Sequence, residues 1–311
     1  MSRLLDASQT AASLPYALLV EEISSLLLDD EVQVPPRLVQ ALPGGGSLFV
    51  MPALDARVAI TKLISFTPAN ALSGRPTIQG DVVVFDVATG ARVLVLDGPT
   101  VTARRTAAVS VLAAQRLASQ RDGPLLIVGA GSQGRSHLEA FTQCLGLREV
   151  LIASGRPESA QALAKHAKTL GLKASVVTDP NAALSDCPLV VTCTPASAVV
   201  LHALPRADVF FSAVGAFTPT MVELSPGLCR HFAEQGRVVV DTSDAAHEAG
   251  DLIQAGLDTA QLDTLKQVVC RPLSAARQGP VLFKSCGWAG WDLAAARTSL
   301  RSNLGSEPNF V

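Results

Sequence analysis

The sequence predicts an α/β chain whose second half is a Rossmann doubly wound parallel sheet. Near-continuous apolar runs recur at 125–128, 150–153, 189–191, 209–211 and 238–240, as expected of parallel strands covered on both faces. Helical stretches such as 159–170 lie between them, which is the strand–helix–strand rhythm of βαβ units. The first of these runs leads straight into Gly129-Ala130-Gly131-Ser132-Gln133-Gly134 and then a helical pattern.

Taken in order, residues 1–30 are helical in character, with Leu14, Ala17, Leu18 and Leu26 forming an apolar stripe beside Glu21 and Glu22. Pro35-Pro36 ends any helix there. From 38 to 96 the pattern is that of strands, short β-branched runs at 47–51 and 58–64 separated by Gly and Pro. The runs 82–86 and 91–96 flank Val87-Ala88-Thr89-Gly90, a β-hairpin with Gly where φ must be positive. Residues 99–120 read as one long helix, 121–290 as the parallel sheet and its helices, and 291–300 as a helix that packs back on the first domain. The domains are therefore 1–120 with 291–311, and 121–290.

Composition narrows the class. The 311 residues are 48% hydrophobic and 17% charged, enough apolar side chain for a sizeable core and against disorder. A net charge of −2 argues against a bulk nucleic-acid or membrane-surface binder. No apolar run approaches the ~18 residues of a spanning helix, and the first residues lack the pattern of a signal peptide. Six scattered cysteines without a C-x-x-C pair read as reduced thiols, some of them core filler. A soluble, cytoplasmic protein is the expectation. No His/Cys/Asp spacing suggests a metal site, and no G-x-S-x-G is present.

The glycine turn points to a dinucleotide. Gly129 allows a tight turn, Gly131 a close approach of backbone to pyrophosphate, and Gly134 close packing of helix on strand. The free N–H groups and dipole of the helix favour the phosphates. NAD binders place an acid roughly 20 residues on, at the end of the second strand. Here the run is Ser154-Gly155-Arg156-Pro157-Glu158. No carboxylate ends the strand, Arg156 can pair with a 2′-phosphate, and Glu158 reads as a helix-start acid. NADP(H) is preferred, with NAD(H) possible.

The order of motifs resembles the ornithine cyclodeaminase/mu-crystallin family over nearly the whole chain. Matching stretches are Ile60-Thr61-Lys62-Leu63-Ile64, Phe85-Asp86-Val87-Ala88-Thr89-Gly90, Leu96-Asp97-Gly98 and Thr102-Ala103-Arg104-Arg105-Thr106. They continue through the glycine turn, Val191-Thr192-Cys193-Thr194-Pro195, Ala213-Val214-Gly215-Ala216, Glu248-Ala249-Gly250-Asp251 and Leu282-Phe283-Lys284-Ser285-Cys286-Gly287. The resemblance implies a homodimer in which an α+β domain with an antiparallel sheet serves substrate binding and dimerisation. It also implies that Arg37, Lys62 and Arg105 hold a substrate carboxylate. A lysine interrupting an apolar strand needs a charged partner or a shifted pKa, and Arg suits a planar carboxylate. Thr77 is a weaker candidate, and Asp244, near Glu248, lies in a segment the family uses near its ligand, although both also suit a helix start. The implied cofactor contacts are Arg105, Gly129, Gly131, Ser132, Gln133, Gly134, Ser154, Arg156, Thr192, Thr194, Val214 and Ser285. Lys62 and Arg105 are the catalytic candidates.

One stretch departs from the family. After the Val-Gly-Ala run, cyclodeaminases carry an Asp, then Pro-Gly-Lys, then Glu-Leu. Here Phe217 stands at the acid and Met221 at the lysine, before Glu223-Leu224. Phe217 stacks near a nicotinamide, walls off water or simply packs. Deamination needs that acid–base group, whereas reduction of a preformed imine needs only a carboxylate clamp, a hydride donor and a proton. The expectation is NAD(P)H-dependent reduction of Δ1-pyrroline-2-carboxylate or Δ1-piperideine-2-carboxylate to proline or pipecolate across an inter-domain cleft, with Lys62 as proton donor. The alternatives are ornithine cyclodeaminase and a non-catalytic NADPH-dependent ligand binder.

Overall fold

The computed structural model describes residues 2–271 and 279–304. By contact the chain divides into Met1–Arg105 with Trp288–Val311, and Thr106–Gly287. The first division lies inside a helix, where the sequence pattern had suggested boundaries after that helix, at 120, and at 290.

The first unit begins with β1 (Arg3–Leu4), α1 (Ala7–Ala12) and α2 (Tyr16–Leu27). The single helical stretch expected over 1–30 is thus two helices and a short strand. Pro15, which has no N–H to donate, sits at the N-cap of α2. The expected stripe holds at its ends, where Leu14 and Leu26 are buried, but its middle shifts to Tyr16, Leu19, Val20 and Ile23, with Ala17 exposed and Leu18 half-buried. Next come β2 (Leu38–Leu42), β3 (Gly46–Leu54), β4 (Val58–Phe66), β5 (Ile78–Asp86) and β6 (Arg92–Asp97). They form one sheet in the order β1-β6-β5-β4-β3-β2, antiparallel except for the β1–β6 pair. The β5–β6 hairpin turns as expected, with Gly90 at φ 68° and the Asp86 carboxylate accepting from the Thr89 N–H at 2.8 Å.

Alternation sorts this sheet into two faces. Ile60, Lys62 and Ile64 of β4 are buried together with Met51 and Val82, the cross-strand neighbours of Lys62. The opposite face carries Leu63, 44% exposed, with Val50 and Leu38 beside it. Helix α3 (Gly98–Leu117) follows the sheet and carries the chain into the second unit.

That unit runs β7 (Leu125–Val128), α4 (Ser132–Leu145), β8 (Glu149–Ala153), α5 (Pro157–Thr169), β9 (Lys173–Val176), β10 (Leu189–Thr192), β11 (Ser197–Leu201), β12 (Phe210–Ala213) and β13 (Val222–Leu224). It continues with α6 (Pro226–Gln235), β14 (Arg237–Val240), α7 (Ala245–Glu248), α8 (Gly250–Gln254), β15 (Asp263–Thr264), α9 (Leu265–Cys270) and β16 (Val281–Lys284). Eight strands form a parallel sheet in the order β15-β14-β16-β12-β10-β7-β8-β9, while β11 and β13 pair separately. The chain leaves β7 toward β8 and β9, then returns to the other side of β7 at β10. That reversal is the topological switch point at which doubly wound sheets bind ligands. Val128, Val190, Phe211 and Leu282 place apolar side chains from four neighbouring strands in one buried cluster. After β16 the chain re-enters the first unit as α10 (Ala289–Leu304), which packs on α2, β3 and β4.

Candidate active site

The strand β4 carries Lys62 on its buried face and the helix α10 brings Asp292 to it. Lys62 is 3% exposed, Arg105 6% and Asp292 0%. Lys62 Nζ lies 3.1 Å from Asp292 Oδ1, and Arg105 Nε is 3.4 Å from the same oxygen. The Arg105 Nε is buried and has no hydrogen-bond partner. Burial pushes the Lys62 ammonium down to about 8, against the pull of Asp292, with Arg105 and Arg37 lowering it further. The lysine expected to have either a charged partner or a shifted pKa has both. Two buried cations stand against one carboxylate, so a second carboxylate would be needed to neutralise them. Arg37 is half-buried just before β2, and Thr77 is half-buried with its carbonyl accepting from the Thr67 N–H at 2.8 Å.

In the second unit the glycine turn sits at the switch point. Gly129 has φ 115°, and a Cβ there would meet the Cys193 carbonyl oxygen at 2.7 Å. A Cβ on Gly134 would lie 2.0 Å from the Gly129 oxygen, so only glycine lets α4 pack this close to the turn. A Cβ on Gly131 would meet nothing within 4 Å, which leaves the space above the turn open. Gly131 is the N-cap of α4 and brings no capping side chain to the first turn of the helix. This cradle fits a pyrophosphate. Ser154 and the exposed Arg156 follow β8, where a ribose and its substituent would lie, and Ser154 Oγ accepts from the Arg156 N–H at 3.2 Å.

The loops after β10, β12 and β16 are tied down by three buried acids. Glu223 accepts from Thr194 N–H at 2.7 Å, Thr194 Oγ1 at 2.8 Å, Gly215 N–H at 2.8 Å, Thr192 Oγ1 at 3.2 Å and Ala216 N–H at 3.3 Å. Burial pushes its carboxyl up, Lys284 and Thr194 pull it back, and the five donors on its two oxygens favour the ionised form. Asp251 accepts from the Glu223 and Leu224 N–H groups and pairs with Lys284 at 2.7 Å, both side chains fully buried. Burial alone would lower the Lys284 ammonium, yet Asp251 and Glu223 hold it above its ordinary value. Asp241 Oδ2 accepts from Ser285 Oγ at 2.7 Å and from the Cys286 and Gly287 N–H groups. The hydroxyl protons of Thr192, Thr194 and Ser285 are therefore committed to these acids. Val214 donates its N–H to the Thr192 carbonyl at 2.9 Å.

Asp244 precedes α7, exposed, and its side chain makes no cap hydrogen bond, unlike the helix-start role open to it from sequence. Phe217 packs against the core of its unit. His137 is pushed down to about 4 by burial and bridges the Gln133 carbonyl and Ser110 Oγ, at 2.8 and 3.0 Å. Among the described residues no group of three His, Cys, Asp or Glu side chains is placed to hold a metal ion, and no helix is long and apolar enough to cross a membrane. The cysteines are free, and burial pushes the thiols of Cys187 and Cys229 up to about 12.

A family model described as the ornithine cyclodeaminase/mu-crystallin family matches residues 13–306. The chain belongs to that family. It is 39% identical over 303 residues to Delta(1)-pyrroline-2-carboxylate reductase 1 of Burkholderia multivorans, covering 94% of both chains. It is 36% identical over 298 residues to a Delta(1)-pyrroline-2-carboxylate/Delta(1)-piperideine-2-carboxylate reductase of Azospirillum brasilense, again covering 94% of both. In fold it matches the Thermococcus litoralis Delta(1)-pyrroline-2-carboxylate reductase, solved with NADH and L-proline, at a TM-score of 0.88, 24% identity and 97% coverage of each chain. Within this family member, Asp292, Glu223, Asp251, Asp241 and Lys284 are buried charged residues of these clusters to which sequence reasoning gave no role. An acid inside the Ala- and Leu-rich run of α10 was the available signal for Asp292. Glu223 and Asp251 lay inside matching or neighbouring motifs without any spacing that pairs them.

Proposed function

We propose that this chain reduces a small cyclic imino acid, such as Δ1-pyrroline-2-carboxylate or Δ1-piperideine-2-carboxylate, to proline or pipecolate. The observation that carries this reading is the buried Lys62–Asp292–Arg105 cluster, two cations on one acid, in a chain 39% identical to a named reductase of that substrate. Relatives of this similarity make it an oxidoreductase that uses a nicotinamide cofactor. Arg105 and Arg37 take the substrate carboxylate. Lys62, held near 8 by burial against Asp292, gives its Nζ proton to the imine nitrogen, which gains an electron pair as hydride reaches the ring carbon. Gly129, Gly131, Gly134 and the N–H groups of Ser132 and Gln133 would hold the dinucleotide, which supplies that hydride when bound. The finer preference is for NADP(H), because Arg156 rather than an acid follows β8.

The partly exposed apolar face around Leu38, Val50 and Leu63 supports a homodimer joined through that side of the antiparallel sheet. Phe217 in a packed position at the family's acid favours reduction over deamination. The test is NADPH loss against a panel of cyclic imines and 2-oxo acids, with ammonia release from ornithine measured in parallel. Turnover with five- or six-membered cyclic imino acids is expected. Ammonia release at an ordinary enzymatic rate would make the protein a cyclodeaminase, and cofactor binding without turnover would make it a binder.

A further inference from the structure

We propose that Glu223 is the positioning residue for the nicotinamide end of the dinucleotide, through the five hydrogen bonds that fasten the loops after β10 and β12. This rests on the reductase reading above and names a role that the chemistry given there does not use. The sheet order supports it. Ser154 and Arg156 follow β8, on one side of β7, so the adenosine end lies on that side. The pyrophosphate crosses at the glycine turn, and the nicotinamide end must then run over the carboxyl ends of β10 and β12. Those ends are Thr192 to Thr194 and Ala213 to Ala216, the residues whose donors converge on Glu223.

Alongside the backbone bond from the Val214 N–H to the Thr192 carbonyl at 2.9 Å, Glu223 ties these two loops to each other. The approach is close enough to restrict composition. A Cβ on Gly215 would lie 2.4 Å from Glu223 Oε1 and 2.2 Å from the Thr194 oxygen. Glu223 is in turn held from behind, since its own N–H and that of Leu224 donate to Asp251 at 2.6 and 2.9 Å, and Asp251 is paired with Lys284. A fully buried carboxylate with five donors is a rigid brace, because loss of any partner leaves a polar group unsatisfied in a dry environment. Hydride transfer is sensitive to displacements of about 1 Å, whereas the phosphates are held elsewhere.

The experiment compares the parent with Glu223→Gln and Thr194→Val in the full chain. Glu223→Gln keeps volume but turns an acceptor oxygen into a donor facing N–H groups. Thr194→Val removes one hydroxyl donor and leaves the backbone bond, so it serves if the first variant does not fold. Three readouts are taken: kcat for imine reduction with 4-deuterated and ordinary NADPH, the fluorescence of bound NADPH, and the dissociation constants of NADPH and of 2′-phospho-ADP-ribose, which lacks the nicotinamide. Glu223→Gln is expected to lower kcat at least tenfold, raise the deuterium isotope effect on kcat and reduce the bound NADPH fluorescence. Thr194→Val should show a smaller loss of the same kind. The affinity for 2′-phospho-ADP-ribose should stay within about threefold in both, a split that general loosening of the fold would not produce. Unchanged kcat and fluorescence in a folded variant overturn the role of Glu223 alone, as does an equal loss of affinity for both ligands. A parent that binds NADPH without reducing any imine sinks the reductase reading, and the fluorescence and affinity readouts then decide Glu223 by themselves. A parent that binds neither ligand overturns both.

Discussion

Two buried charge clusters, one in each unit, are built in opposite ways. In the first, Lys62 and Arg105 share a single acid, Asp292, and the Arg105 Nε has no hydrogen-bond partner. In the second, Glu223 receives five donors and the Asp251–Lys284 pair is joined to backbone N–H groups. Burying a charge is costly unless it is paired and hydrogen-bonded. A saturated acid is therefore scaffold, and an under-neutralised cation pair retains attraction for an anion. The difference separates the residues that hold loops from those proposed to meet substrate.

The largest effect expected from this contrast is on stability. Asp251→Ala would strand the Lys284 ammonium and two N–H donors in the interior, and should cost about 3–5 kcal/mol in denaturant unfolding. A loss below about 1 kcal/mol would mean that the pair is not what holds those loops. Lys62→Met should instead leave the fold intact and cut kcat for imine reduction about 10²-fold, the usual size of a lost general acid. NADPH affinity should barely change. Lys62→Arg should recover KM but not kcat, because a guanidinium does not give up its proton near neutral pH. Near-parent turnover in Lys62→Met would reduce Lys62 to a carboxylate clamp.

Arg156 sharpens the contrast from the exposed side, since its charge faces solvent at the end of β8. Arg156→Ala should weaken NADPH by roughly tenfold, the size of one charge-assisted contact of ~1.5 kcal/mol, and leave NADH nearly unchanged. Equal losses for both cofactors would rule out recognition of the 2′-phosphate. The smallest effect is a displacement on the pH axis. Proton donation needs the ammonium form of Lys62, so kcat/KM should be level below about 8 and fall as pH rises through it. Asp292 raises the Lys62 pKa, so Asp292→Asn should move that falling limb to lower pH. A limb that stays in place would show that another group titrates.

The sequence by itself determined the parallel sheet, the β5–β6 hairpin, the glycine turn and Lys62 as a misfit in an apolar strand. Each is a local property: period, turn chemistry and burial preference act over a few residues and survive without knowledge of the rest. It placed a helix's packing face only in part, since Leu14 and Leu26 of the expected stripe are buried but Ala17 is exposed and Leu18 only half-buried. Only the tertiary structure decided which acids matter. Asp292 is 230 residues from Lys62, Asp251 is 33 from Lys284 and 28 from the Glu223 N–H it accepts from. A buried charge finds its partner wherever packing brings one, and separation along the chain carries no record of that choice.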